Sequence, residues 1–174
     1  ENWGLLNKYV KYYDESIIDM PSDYLSYPTK IQSQVGYLQC SKFHKNINDR
    51  VKIAKYYDEN IIRSDIFQLP PIIEGSTYSH YVPRTKYKKE FIKFAGSKGI
   101  QIGELIEYSI PYLEAYKKFN QKNNTYPFSK QFSEETVNLP ISIKGSMSKA
   151  KKTVSIVNYF ILNIETLLKK NKKT

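Results

Sequence analysis

Apolar residues recur with helical spacing in the first third of the chain. The segment Trp3–Tyr13 has apolar residues at positions 3, 5, 6, 9, 10 and 13, which predicts an amphipathic helix. A second helix begins after Thr29, where Gln32 three residues later completes a capping box. A third helix is predicted from Ile47 to Asn60, with charged residues on its outer face. Residues 1–65 are therefore expected to be mainly helical.

After two consecutive prolines at 70 and 71 the pattern changes, because β-branched and aromatic residues cluster in short runs. Residues 72–145 are predicted to combine strands with helices, and a C-terminal helix over 146–170 is capped by Ser146. The predicted strands are Thr77–Val82, Ile100–Ile106 and Val137–Leu139, and a helix over Lys86–Lys98 ends at Gly99. The sequence thus predicts an α+β fold in which helices pack on a small, antiparallel three-stranded sheet. No repeat or linker divides the chain, so 1–174 is expected to be a single unit.

Composition supports a folded protein and excludes several classes. With 174 residues, of which 40% are hydrophobic, the chain is long enough to bury a core. No run approaches the ~18 apolar residues that a membrane span needs. Residues 1–10 lack the pattern of a signal peptide. The single cysteine, Cys40, can form neither an internal disulfide nor a thiol cluster for zinc. We therefore expect a cytoplasmic protein without a membrane segment and without a metal site.

The net charge of +10 raises the possibility of an anionic partner. Only three of the 27 basic residues are arginine, and the lysines are scattered along the chain except for a run near the C-terminus. Bidentate recognition of phosphates or bases favours arginine. Nucleic acid is therefore not the expected partner.

Three stretches carry a resemblance to a known family, and they occur in the family's order. The first is Ile31–Gln39, followed by Arg50 and by Ile53–Tyr57, similar to a helical I-q-A-A-i-G-l-x-Q-L motif and to R-x-x-i-A-x-x-Y. The second is His80–Val82, followed by Gly99-Ile100 and by Tyr108–Pro111. The third is Tyr126–Ser129, followed by Val137–Ile141. Together these stretches resemble the C-terminal small domain of the DegT/DnrJ/StrS-type sugar aminotransferases.

The resemblance implies a pyridoxal-phosphate-dependent aminotransferase that acts on nucleotide-linked keto-sugars in cell-surface polysaccharide or lipopolysaccharide biosynthesis. The cofactor would be held as a Schiff base on a lysine of the family's larger N-terminal domain. Nothing in this chain resembles that domain, so we expect no cofactor in the chain alone and no catalytic residue within it. The implied partners are a nucleotide-sugar substrate and, with the N-terminal domain present, a second subunit in a homodimer.

The resemblance also indicates candidate substrate-binding residues. They are His80 in the strand motif and Glu107, Tyr108 and Tyr112 in the loop that borders the sugar nucleotide in relatives. The chain departs from the family just before the second helix. Leu25 and Tyr27 stand where the family has an Asn and an Arg that face the cofactor phosphate.

A different kind of protein remains open as an alternative. The chain could be a free-standing, non-catalytic module that binds a sugar, a nucleotide or a protein, so enzymatic activity is left undecided. Glu104 and Glu107 do not suggest a glycosidase pair, because a spacing of three on a strand places them on opposite faces.

Overall fold

The computed structural model of the chain describes residues 26–104, 109–119, 125–141 and 146–171. The predicted helix Trp3–Tyr13 lies outside these ranges. The α-helices in the described ranges are α1 (Lys30–Cys40), α2 (Phe43–Asn60), α3 (Lys88–Ser97), α4 (Pro127–Glu135) and α5 (Ser146–Asn171). Two 3-10 helices, Ile110–Tyr112 and Glu114–Phe119, lie between α3 and α4.

The core forms where α5 packs against α2 and α3. The apolar positions of α5 recur at helical spacing, so they share one face, and this face is buried. Phe91 of α3 lies at the centre of the core, with its ring 5.0 Å from that of Phe67 and 5.1 Å from that of Phe160, both edge to face. The largest fully buried residues are Tyr57, Tyr81, Phe67, Phe91, Phe160, Ile53, Leu139, Val137, Val157, Thr136, Thr153 and Pro83.

The predicted three-stranded sheet is wrong, and with it the α+β assignment. The described residues are mostly helical and contain no strand. Extended segments instead meet at four isolated antiparallel bridges, which pair Gln68 with Arg84, Arg84 with Thr136, Tyr81 with Leu139 and Gly103 with Asn138. The β-forming residues therefore lie in extended backbone, but they do not build continuous ladders.

Backbone chemistry explains why the ladders stay incomplete. The N–H groups of Leu139 and Val137 each donate 3.0 Å bonds, to the carbonyls of Tyr81 and Pro83. Proline has no N–H to donate in return, so the pairing loses one bond of its ladder at Pro83. In the predicted strand Thr77–Val82, Tyr78 has a φ of +45°, which is incompatible with an extended strand. Both features interrupt the continuous pairing that the predicted sheet requires.

Helix α1 confirms the predicted capping box but buries none of its side chains. Thr29 accepts a hydrogen bond from the Gln32 backbone, and the Gln32 side chain accepts one in return from the Thr29 N–H at 2.7 Å. The predicted apolar face is fully in solvent, with Ile31 74%, Val35 52% and Leu38 60% exposed. The beginning of this helix is thus encoded locally, whereas its apolar face has no partner in the described residues.

The predicted helix end at Gly99 is confirmed in detail. Gly99 has a φ of +74°, its N–H donates to the Gly96 carbonyl at 2.9 Å, and the Ile100 N–H donates to the Ala95 carbonyl at 3.0 Å. This pair of bonds is the Schellman motif, which satisfies the last carbonyls of a helix. It also turns the chain so that Ile100 enters the core.

Replacing this glycine should therefore destabilise the protein. We expect Gly99→Ala to lower the free energy of unfolding by about 1–2 kcal/mol, because an L-residue at positive φ is strained. The matched control is Gly96→Ala on the same helix, where an added Cβ meets nothing within 4 Å. That change should leave stability unaltered or raise it by up to about 1 kcal/mol. Urea unfolding measures both, and equal effects of the two changes would contradict the assignment.

Candidate functional site

Of the four predicted substrate-binding residues, the structure describes His80 and Tyr112. Glu107 and Tyr108 lie outside the described residues. His80 is exposed, and its Nδ1 lies 3.2 Å from the neighbouring Ser79 hydroxyl. Tyr112 ends a 3-10 helix and is 46% exposed. Within the described ranges no hydrogen bond or ring contact joins His80 to Tyr112.

Tyr112 lies in a 3-10 helix whose beginning is tied to α4 by the hydroxyls of two serines. The buried Ser109 lies immediately before the 3-10 helix, and its Oγ is 2.6 Å from Ser129 Oγ on α4. This bond connects the Tyr108–Pro111 and Tyr126–Ser129 stretches of the sequence. Beyond Tyr112, the same region exposes Ile110, and α4 exposes Phe128. Aromatic side chains of this kind can stack on sugar or nucleobase rings.

A cleft of about 580 Å³ lies between α3 and the end of α4, next to a buried lysine. Lys88 Nζ is 2.8 Å from Glu104 Oε2 and donates a 2.9 Å hydrogen bond to the Ser133 carbonyl. The side chain of Lys88 is only 9% exposed, whereas that of Glu104 is 40% exposed. The Ser133 carbonyl lies in the last turn of α4, where helix carbonyls lack intrahelical partners. The Lys88 ammonium group therefore bonds a free carbonyl at the end of α4 and also pairs with the Glu104 carboxylate.

Lys88 was not identified from the sequence, although a signal was present. Lys88, Phe91 and Ala95 follow the i, i+3, i+7 spacing of one helical face, and all three are buried. A lysine on the inner face of a helix is rarely buried without an acidic or carbonyl partner. The partners, Glu104 and Ser133, are distant in sequence, so the pattern alone could not name them.

Two buried phenols have perturbed pKa values but do not form an acid–base site. Burial raises the pKa of Tyr57 to about 12, and the nearby Thr153 hydroxyl offsets part of that effect. Its hydroxyl donates a 2.5 Å bond to the Pro140 carbonyl, which also favours the protonated form. Burial likewise raises the pKa of Tyr81, and the Asp58 carboxylate adds to the effect. Both phenols stay protonated at neutral pH and lie in the core, so they serve packing.

The described residues do not fit the cofactor that the resemblance implies. Pyridoxal phosphate needs a reactive lysine amine and polar contacts to its phosphate and ring nitrogen. The buried Lys88 is held between Glu104 and the Ser133 carbonyl, and the other lysines whose side chains are described are exposed. Tyr27, which the resemblance aligns with an Arg of the family, is 95% exposed, and Leu25 lies outside the described ranges. No pyridoxal phosphate site is assembled by these residues.

Neither a cluster of metal-binding side chains nor a membrane-spanning helix is found in the described ranges. Among the described side chains, no group of three or more His, Cys, Asp and Glu could hold a metal ion. None of the described helices is both long and apolar enough to cross a membrane.

Some residues from each of the three stretches that carry the resemblance meet in the core. Tyr57 from the first stretch bonds the Pro140 carbonyl in the third, and Tyr81 from the second pairs with Leu139 of the third. Their rings are also in contact, with the centroids of Tyr57 and Tyr81 5.2 Å apart. Ile100 is buried as well. Residues from all three stretches therefore share one core, whereas the Ile31–Gln39 part of the first stretch is exposed.

Comparison with known proteins gives the same family. Residues 12–158 match the family model described as the DegT/DnrJ/EryC1/StrS aminotransferase family. The chain is also similar to the dTDP-3-amino-3,6-dideoxy-alpha-D-galactopyranose transaminase of Aneurinibacillus thermoaerophilus. The two are 28% identical over 135 residues, which cover 75% of this chain and 36% of that protein.

Solved structures show the same fold. DesV of S. venezuelae, in complex with a ketimine intermediate, matches with a TM-score of 0.70 and 16% identity, covering 80% of this chain and 40% of DesV. An aminotransferase from Brucella abortus matches with a TM-score of 0.67 and 19% identity, over 75% and 35% of the two chains. The PLP form of Spr1654 from Streptococcus pneumoniae matches with a TM-score of 0.63 and 22% identity, over 82% and 36%. The chain thus spans little more than a third of the relatives it matches.

Replacing the buried Lys88 should destabilise the protein. We expect Lys88→Met to lower the free energy of unfolding by about 2 kcal/mol, because it leaves the Ser133 carbonyl and Glu104 without their shared partner. The adjacent Lys89→Met, at an exposed position, should change it by no more than about 0.5 kcal/mol. Urea unfolding of both variants measures the difference, and similar losses would contradict the role of Lys88.

The Tyr57 phenol generates a prediction about alkaline pH. The pKa of Tyr57 is about 12 in the folded state, above the ordinary value of 10.0. The protonated phenol therefore contributes fully to the stability of the fold below pH 10, and this contribution is lost as the pH rises through 12. A pKa shift of this size corresponds to a change of about 3 kcal/mol in the free energy of unfolding. Tyr57→Phe should therefore lose less stability than the parent between about pH 9 and pH 12.

The control for this change is Tyr159→Phe, because Tyr159 is 53% exposed on α5. This variant should keep the parent's pH dependence. Urea unfolding across the alkaline range measures how the stability of the parent and of Tyr57→Phe depends on pH. The control corrects both curves for the general effect of lysine deprotonation. Parallel curves for the parent and Tyr57→Phe would refute the prediction.

Proposed function

The chain belongs to the DegT/DnrJ/EryC1/StrS aminotransferase family, and on that premise we propose that it is the C-terminal part of a sugar aminotransferase. In this proposal the whole protein transfers an amino group to a nucleotide-linked keto-sugar for cell-surface polysaccharide or lipopolysaccharide biosynthesis. The observation that carries the proposal is the family match over residues 12–158, combined with coverage of only 36% of the curated relative. This chain would then contribute one part of a larger active protein.

The reaction would depend on pyridoxal phosphate, because the related Spr1654 has a PLP form and DesV a ketimine complex. The cofactor supplies the electron sink of transamination when it is bound. Since Lys88 is engaged and Tyr27 is exposed in place of an Arg, we propose that the cofactor site lies in a further domain of the protein. The chain would be a single unit that lacks this domain and is not catalytic by itself.

The proposed contribution of this chain is to border the substrate. The exposed ring of Tyr112 is available for contact with a sugar nucleotide, and the Ser109–Ser129 bond ties its 3-10 helix to α4. Glu107 and Tyr108 are proposed as substrate contacts on the resemblance alone. His80 is proposed on the same basis, and its exposure is compatible with a contact to substrate. We further propose a cytoplasmic homodimer.

The test compares the 174-residue chain with the full product of its reading frame. Each is incubated with pyridoxal phosphate and dialysed, and absorbance is measured between about 330 and 430 nm, where the protein-bound cofactor absorbs. Borohydride reduction and peptide mass spectrometry then locate any labelled lysine. We expect the longer product to keep the band on one lysine outside this chain. The chain alone should show weak labelling spread over many lysines, unchanged when it is unfolded in urea.

Two outcomes would contradict parts of the proposal. A specific label at Lys88, or at any other lysine of this chain, that disappears in urea would show that the chain holds the cofactor itself. A reading frame that encodes no further domain, with no band in its product, would overturn the aminotransferase function. That second result would favour a free-standing module that binds a sugar, a nucleotide or a protein.

A further inference from the structure

A second cleft, of about 300 Å³, lies beside Arg84 and shares no lining residue with the cleft next to Lys88. Its lining consists of Gln68 and of apolar residues, namely those at 69–71, Val82 and Phe132. Arg84 is the only charged group among the described residues that line it. Small-molecule pockets in proteins begin at a volume of ~300 Å³, so the cleft can accept a small ligand. It therefore combines one positive charge with mainly apolar walls.

The guanidinium group of Arg84 is held in place by its neighbours. The backbone N–H of Arg84 donates to the Gln68 carbonyl at 2.9 Å, and the Gln68 N–H donates to the Arg84 carbonyl at 2.8 Å. Nη2 of Arg84 donates a 2.5 Å bond to Gln68 Oε1, and its Cζ lies 4.9 Å from the centroid of the Phe132 ring. A side chain that is already positioned loses little conformational entropy when it binds a ligand.

No carboxylate of the described residues balances this charge. None of the described Asp and Glu side chains lies within ion-pair distance of Arg84, whereas Arg63 pairs with Asp58 at 2.6 Å. The hydrogen bond to Gln68 uses only Nη2, and its acceptor is a neutral amide. The other N–H groups of this half-buried guanidinium have no protein acceptor in the described ranges. Arg84 therefore presents donors and a positive charge that an anionic ligand can use.

The chemistry of the cleft indicates which anion fits. A carboxylate accepts two parallel hydrogen bonds from one guanidinium and carries a single charge, which Arg84 alone can balance. A phosphate group carries a charge of about −1.5 to −2 and three acceptor oxygens, which one arginine among apolar walls does not satisfy. The walls formed by 69–71 and Val82 can cover apolar surface of the ligand. The cleft is thus complementary to a monocarboxylate that has an apolar body.

We propose that the cleft beside Arg84 binds a small organic monocarboxylate, with the guanidinium on the carboxylate and the apolar walls on the body of the ligand. This site goes beyond the aminotransferase function and requires neither cofactor nor activity, so its failure is distinguishable from failure of the cofactor test. A carboxylate side chain of the proposed further domain has the same chemistry as a free acid. The experiment therefore separates these two sources.

The experiment titrates benzoate, as the probe, into the full product of the reading frame and into the 174-residue chain, with binding followed by calorimetry. Benzyl alcohol serves as the uncharged control compound, and inorganic phosphate serves as the anion without an apolar body. We expect benzoate to saturate a single site beside Arg84 in both proteins. Its Kd should be at least about tenfold lower than that of either control compound, because each control lacks one half of the contact.

Two variants locate the binding. Arg84→Lys keeps the charge but removes the planar pair of donors, so it should weaken benzoate binding about tenfold or more. The control is Lys86→Gln, at an exposed position two residues away, which should change the Kd by no more than about twofold. Circular dichroism and urea unfolding show that Arg84→Lys stays folded, because the backbone bonds with Gln68 do not depend on the side chain. Nuclear Overhauser contacts from benzoate to the Val82 methyl groups place the ligand directly.

Each contrary result overturns the proposal. Binding to the 174-residue chain that is lost in the full product would mean that a group of the further domain fills the cleft. Phosphate binding as tight as that of benzoate would show a general attraction of anions to a cationic chain. Full affinity in Arg84→Lys, or an equal loss in Lys86→Gln, would place the contact elsewhere. The absence of saturable binding in both proteins would remove the site altogether.

Discussion

Burial of the apolar face of α5 is the constraint on which the rest of the described structure depends. That face packs against α2 and α3, and Phe160 and Val157 are fully buried within it. Each apolar side chain of this size contributes about 1.5–3 kcal/mol to the free energy of folding when it is buried. The buried face of α5 carries many such side chains. The extended segments are held to this helical core mainly through side chains such as Phe67 and Tyr81, since their backbone bridges are isolated.

The core also explains which parts of the fold were predictable. Thr29 with Gln32 and the glycine at 99 act through bonds within a few residues, so the sequence patterns predicted both helix ends correctly. The sheet prediction failed because it used composition alone. Tyr78 has a left-handed backbone, with its hydroxyl bonded to the Ile73 backbone, and Pro83 lies opposite Val137; composition shows neither the conformation nor the pairing. Residues with high β-propensity fit an extended, half-buried backbone, and such a backbone can form without continuous hydrogen bonding between strands.

The candidate site was less predictable than the fold, for a different reason. His80 and Tyr112 were selected by resemblance, and each is exposed without contact to the other. Lys88 was overlooked, because its two partners come from segments 16 and 45 residues away and only the folded chain brings them together. Helical spacing could identify the buried face of α3, but it could not distinguish a structural lysine from a reactive one.

The family resemblance therefore has a definite physical content. Tyr57, Tyr81, Leu139 and Pro140, which carry part of it, form one set of core contacts, whereas Tyr27, which the resemblance aligns with an Arg of the family, is exposed. A packing requirement and a chemical requirement are thus separable in this chain. Core side chains are constrained by volume and by the bonds they make with one another, whatever chemistry the whole protein performs. The part of the resemblance that lies in the core reports the fold, because core residues are constrained by their packing. The chemistry has to be sought in residues that the core does not constrain.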